Sequence, residues 1–383
     1  MVNRPHMNPT DLPTPPNARS DAPDLARRGL CLSALSAASA LPTLLWAPHA
    51  WANPSNPATA AATATATATA PATAAPANSP IFVLNSLDAN VSVIDPVSMQ
   101  VTQTIATGKE PHHLYMTPDD QSLLVANAAG DSITFIDPRT AKVQREVTGI
   151  VDPYQLRFSP DMKWFVTVAN RLNHVDIYHW EPKNEKTPFR LAKRIPTGKT
   201  PSHMWIDSRS RTVFATMQDS HEIIAVDIES QSVRWRVATG KLPADVYLTA
   251  DDNVLLVALT GDKYVEAYDV SNGPAKLMKR IETGASAHAF RAMGDKRHVF
   301  LGNREADTIS LIDSQTQTVV DKLPGPGGPD CMELLADRKT LLVSSRWIRK
   351  LTFVDVPSRK VRHQVKVGKS PHGVFSLNHA PRQ

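Results

Sequence analysis

The sequence predicts an all-β fold, a seven-bladed β-propeller of four-stranded blades whose ring is closed by pairing the C-terminal strand with the N-terminal blade. Three observations carry this. A strand-closing glycine recurs at Gly108, Gly149, Gly198, Gly240, Gly284, Gly325 and Gly368, at intervals of 41 to 49 residues. Between these glycines, short apolar segments alternate with period two and are separated by Pro/Asp turns such as "TPDDQ" and "SPDMK", the mark of half-buried strands joined by tight reversals. A unit of about four short strands every 40 to 45 residues is a propeller blade. Finally, the two ends of the repeat complement each other. The chain starts at Ile81 with what reads as a second strand and finishes with "SPHGVFSL" as a first strand, so joining them completes a blade and removes an exposed edge.

Taken from the N-terminus, residues 1–52 read as an export signal. Arg27-Arg28 precedes the moderately apolar run from Gly29 to Trp46, and Ala50-Trp51-Ala52 supplies a small-x-small cleavage pattern. The paired arginines suit the twin-arginine route, with ordinary secretion as the alternative. Residues 53–79 hold only small residues, Pro, Asn and Thr, with no large apolar side chain to bury, and read as a disordered linker. Residues 80–383 form the propeller. A periplasmic or secreted location and a monomer are expected. Cleavage would remove Cys31 and leave Cys331 as the one thiol, so the domain must be stable without an intrachain disulfide.

The repeat pairs an apolar strand ending in a small or Asn residue ("IFVLN", "LLVAN", "VTVAN", "VFLGN") with an alternating strand ending in or near Asp ("VSVID", "ITFID"). "LLVAN" with "SITFIDPRTAKV" and "TGKxP" resembles the YVTN-type repeat of surface-layer and YncE-like exported bacterial propellers, over essentially all of 80–377. The resemblance implies the fold. For activity it implies several uses: ligand or partner binding, nucleic-acid association, and, in related propellers, a d-type haem.

The first strand of each blade should line the central channel, which places a ligand site where Gly-x-x-Pro leads into it. Aligning on that step puts His112, Tyr154, Ser202, Ala244, His288, Asp330 and His372 in one register, and His113, Gln155, His203, Asp245, Ala289, Cys331 and Gly373 in the next. Five of the thirteen histidines fall in these two registers. Imidazole can bind a transition metal or haem iron, or hydrogen-bond a strand-end carbonyl. Because alternate strand residues point to opposite sides, His112 and His113 should not share one partner without distortion.

Lys109, Lys199, Lys241 and Lys369 each follow a closing glycine and would surround one mouth with positive charge. Arg346, in "SSRWIRK", could grip an anionic or aromatic ligand. The expectation is therefore a non-catalytic propeller binding a small anionic ligand or a protein partner through Lys109, His112, His113, Lys199, His203, Lys241, His288, Arg346, Lys369 and His372. A haem or metal redox protein using His112, His203, His288 and His372 is the alternative, and a metal-assisted lactone hydrolase using Asp245 and Asp330 is a third. The net charge of +5 is spread without a basic block, and no aromatic array suits stacked bases, so nucleic acid is not expected as a partner.

Overall fold

The computed structural model describes residues 78–382. The proposed signal and nearly all of the linker lie outside the described residues. The described chain forms seven four-stranded antiparallel sheets. Blade 1 takes its outer three strands from Ile81–Asn85, Asn90–Asp95 and Gln100–Ala106, and its innermost strand from Pro371–Ser376 at the other end of the chain. That pairing closes the ring as the sequence requires. Blades 2 to 7 begin with innermost strands Pro111–Met116, Gln155–Phe158, Pro201–Ile206, Pro243–Leu248, Ala287–Ala292 and Pro329–Leu334. The polar insertion falls between His174–Trp180 and Phe189–Pro196 of blade 3.

Burial follows position in the blade. Second strands such as Ile81–Asn85 and Leu123–Asn127 are buried at every residue, because their two faces pack against the blades on either side. Outermost strands are largely exposed, and most are anchored by a buried apolar residue near the end: Ile105, Val147, Ile195, Ile281, Leu323 and Val365. The core is thus a series of inter-blade clusters, for example Trp205, Phe214, Tyr247 and Leu255 between blades 4 and 5.

The Asn and Gly of the repeat explain each other. Asn127 donates from Nδ2 to Ser132 Oγ at 3.0 Å and Thr134 Oγ1 at 2.9 Å, tying the second strand of blade 2 to the third. Asn85 and Asn303 do the same in blades 1 and 6. The glycine that leads into each of these blades lies against that Asn. A Cβ at Gly108 would come within 2.8 Å of Asn127, and one at Gly368 within 2.6 Å of Asn85. Only a residue without a side chain lets the entering turn approach so closely.

Candidate functional site

The innermost strands carry a shared irregularity that creates the site. In blade 2, Pro111 pairs with Asn127 and Leu114 with Val125, so His112 and His113 together oppose Ala126 alone. The same two-against-one bulge occurs in blades 4 to 7 at 202–203, 244–245, 288–289 and 330–331, and in blade 1 at 372–373. A bulge breaks strict alternation. Neighbouring side chains of both registers therefore reach the channel, and the expectation that His112 and His113 must face different partners is corrected: the distortion it would need is built into the ring.

Five histidines converge. His112 is sandwiched, its ring centroid 3.7 Å from that of His372 and 3.8 Å from that of Tyr154. His113 lies 4.8 Å from His372 and 4.7 Å from His203, both edge-on, and His203 lies 5.7 Å from His288. His112, His203, His288 and His372 are buried, and His113 keeps some surface toward the cavity below. Two rings have a fixed tautomer. His372 Nδ1 donates to the carbonyl of His112 at 2.8 Å, and His203 Nδ1 to that of Ala244 at 2.9 Å. Since a carbonyl oxygen only accepts, Nδ1 carries the proton and Nε2 presents a lone pair.

Asp330 is the anionic centre. Its Oδ2 accepts from Arg304 Nη2 at 2.5 Å and Arg346 Nη1 at 2.9 Å, both from loops between second and third strands. Its Oδ1 lies 3.3 Å from both His288 Nε2 and His372 Nε2. Asp330 Oδ1 and His372 Nε2 are both buried without a hydrogen-bond partner among the described residues. Arg304 Nη2 also donates to His288 Nε2 at 2.6 Å.

Burial dominates the titration. It holds His112 and His113 well below the usual imidazole range, reinforced by His372 beside the first and His203 beside the second. It pushes His288 down to about 3, with Arg304 adding to the effect. His372 is also held well down by burial, although Asp330 opposes it and Arg346 assists. Burial alone would raise Asp330, but Arg304, His372 and His288 hold it well below the ordinary carboxylate value. Burial, then Asp330 and Asp245, push the Cys331 thiol well up, so it stays neutral and is a poor nucleophile.

Other expected site residues fall elsewhere. Lys109, Lys199, Lys241 and Lys369 are exposed on the rim, and none lines the channel cavity. Three of their turns are stitched to the loop of the blade they enter: the backbone N–H groups of Lys199, Lys241 and Lys369 donate to Ser220, Asp262 and Asp88. Lys369 Nζ also sits 3.4 Å from Asp88 Oδ1. Carboxylates thus accompany the rim, which weakens it as an anion funnel. Arg346 points inward to Asp330, while its neighbour Trp347 is 55 % exposed and covers Gly328, where φ is +70° and a Cβ would lie 2.6 Å from the indole. Asp245 has both oxygens engaged, by the backbone N–H of Val246 and of Phe290, each at 2.8 Å.

Below the histidines the channel opens into a cavity of about 140 Å³ lined by His113, His203, Cys331, Arg157, Arg291 and Glu333, among others. Glu333 is buried between Arg291 and Arg382, at 2.6 and 2.5 Å, and both guanidiniums hold it down against the upward push of burial. Arg382 brings the C-terminal tail to this mouth, where Arg291 also donates to the carbonyls of Ala380 and Pro381. Sequence reasoning missed this tier, and missed Arg304. Its signal was present, since Arg157, Arg291 and Glu333 each stand two residues beyond the second register, where alternation returns to the channel.

The fold and site define a seven-bladed propeller with a histidine-filled channel. The chain belongs to the YNCE-like beta-propeller family, which it matches over residues 49–382. It is similar to the uncharacterized protein YncE of Salmonella typhi and of Salmonella typhimurium, 28 % identical over 151 residues, 39 % of this chain and 42 % of theirs. The match thus spans about two fifths of those relatives' length. Among solved structures, the periplasmic gluconolactonase PpgL of Pseudomonas aeruginosa superposes with a TM-score of 0.66 at 16 % identity, covering 80 % of this chain and 99 % of PpgL. The dihydro-heme d1 dehydrogenase NirN, solved in complex with DHE, gives 0.60 at 16 % identity, covering 79 % and 76 %. At such identities the likeness shows the fold alone.

Proposed function

We propose that this is an exported propeller, with an export signal in 1–52, a linker in 53–79 and the ring in 80–383, that binds one small ligand inside its channel without catalysing a reaction on it. One observation carries the reading. His112 Nδ1, His113 Nε2, His203 Nε2, His288 Nδ1 and His372 Nε2 are all buried with no hydrogen-bond partner among the described residues. A single unsatisfied buried polar atom costs about 1–3 kcal/mol. Five around one channel describe a surface arranged for something other than itself. Binding without chemistry is supported by the neutral thiol of Cys331 and by the carboxylates of the lactone-hydrolase reading, since both oxygens of Asp245 are engaged by backbone N–H groups and Oδ2 of Asp330 by Arg304 and Arg346.

A d-type haem, implied by the resemblance to haem propellers, does not fit the channel. The histidine rings are packed with centroids 3.7 to 5.7 Å apart, leaving no slot for a macrocycle. The cavity beneath, at about 140 Å³, is smaller than the roughly 300–1,000 Å³ of sites for drug-sized ligands. The ligand is an ion or a molecule of a few atoms.

Native mass spectrometry of protein recovered from the exporting compartment tests this. A defined mass excess is expected in the native protein, absent after denaturation and absent in His113→Ala. Equal native and denatured masses, in protein never exposed to chelator, would refute it.

A further inference from the structure

We infer that the channel ligand is a single divalent first-row transition-metal ion, bound by ring nitrogens of His112, His113 and His372, with His203 alongside as a fourth donor. The inference rests on the channel-binding reading and names its ligand class.

Three arguments converge. One ligand atom from each of His112, His113 and His372 can be chosen so that all three lie within 4.8 Å of one another. Tetrahedral coordination with metal–nitrogen bonds of about 2.0–2.1 Å sets donors roughly 3.3 Å apart, so rotations moving each ring nitrogen by about an ångström close the set. Next, His372 and His203 are already oriented as metal-binding imidazoles commonly are, Nδ1–H held by a backbone carbonyl and Nε2 left with its lone pair. Third, His372 has an acceptor at each end: the His112 carbonyl 2.8 Å from Nδ1 and Asp330 Oδ1 3.3 Å from Nε2. A neutral ring has one N–H and can serve only one of them. A metal on Nε2 would engage the lone pair that the single N–H leaves unserved. Arg304 and Arg346 already share the single charge of Asp330, at 2.5 and 2.9 Å.

The same two arginines sharpen the metal's identity. They leave the neighbourhood net positive, which penalises hard cations that need carboxylate ligands and leaves ions that bind neutral imidazole strongly. Affinity should follow Cu²⁺ above Ni²⁺ and Zn²⁺, with Mg²⁺ and Ca²⁺ unbound. They also weigh against the other cluster, His288, Asp330 and His372, because Arg304 Nη2 already lies against both His288 Nε2 and Asp330.

The test uses untagged, chelator-stripped full-length protein titrated with Cu²⁺, Ni²⁺, Zn²⁺, Mg²⁺ or Ca²⁺ alone, read by calorimetry and by elemental analysis after desalting. One Cu²⁺ per chain is expected, weakened about 100-fold or more in His113→Gln and in His372→Gln and unchanged in Lys276→Ala, on an exposed outermost strand. Should either histidine variant melt far below the parent, the Cu²⁺ electron paramagnetic resonance of the parent decides. Nitrogen splittings from three or more imidazoles support the site, and one or none overturns it. Failure to retain any of the three transition metals overturns the metal while leaving channel binding intact if native mass spectrometry still finds a non-metal species; finding neither sinks both.

Discussion

Replacing His288 with Gln removes one imidazole from the channel and should flatten the acid sensitivity of the metal-free protein. His288 is 3 % exposed, accepts from Arg304, and has its pKa pushed down to about 3. In the unfolded chain the same ring titrates near 6.5. Between those values the unfolded state holds a proton that the folded state refuses, so stability falls as pH falls, beginning near 6.5 and ending near 3. Moving from pH 7.5 to 5.0 therefore costs about 2 kcal/mol through this residue, or about 4 °C in Tm for a domain of this size. Gln keeps an acceptor for Arg304 and does not titrate. Thermal unfolding followed by circular dichroism at pH 7.5, 6.5 and 5.0 compares the two proteins. His112, His113 and His372 act in the same direction in both, so the difference in pH dependence isolates His288. Parallel Tm–pH curves would refute the reasoning, since they would mean that the ring is already charged in the fold or is reached by water.

Three further outcomes are expected. Asp330→Asn leaves Arg304 and Arg346 around a neutral amide, and should lower stability to urea by about 3–5 kcal/mol; a loss below about 1 kcal/mol would show that solvent, not Asp330, screens these arginines. Gly368→Ala places a Cβ 2.6 Å from Asn85 Cγ and should cost about 1–3 kcal/mol in the same assay, whereas an unchanged midpoint would mean the turn can retreat. Deleting 378–383 removes Arg382 from buried Glu333 and should cost about 1–3 kcal/mol, discounted because Arg382 is partly exposed, with no change in metal stoichiometry.

How far these residues could be foreseen depended on what kind of regularity positioned them. The repeat made the blades legible, because strand alternation and turn chemistry are local and return seven times. It also made the closing strand legible, since "SPHGVFSL" had no other blade to complete. Aligning on Gly-x-x-Pro brought His112, His288 and His372 into one register and His113 and His203 into the next, because in these blades the innermost strand starts directly after that step. The bulge was not legible. It is a property of pairing, two residues against one, and nothing in "PHHL" announces that Ala126 will oppose both histidines. Arg304 was not legible as a site residue, because its partners His288 and Asp330 come from the starts of different blades. The Lys positions carry two readings for a related reason: repetition signals a shared structural need as readily as a shared ligand, and the turns of Lys199, Lys241 and Lys369 are stitched by the loop side chains of Ser220, Asp262 and Asp88.

The strand Pro371–Ser376 has a consequence for the order in which the molecule can mature. His372 rides on the segment that must cross to Ile81–Asn85 before the ring exists, so the donor set is one member short in any chain whose clasp has not yet fastened. An ion captured afterwards would act as a rivet, binding the fastened state alone and adding about 2.7 kcal/mol against reopening when present at a hundred times its dissociation constant. Unlatching of the first blade would then release the ion, and the last strand to pair would decide when the channel can be loaded.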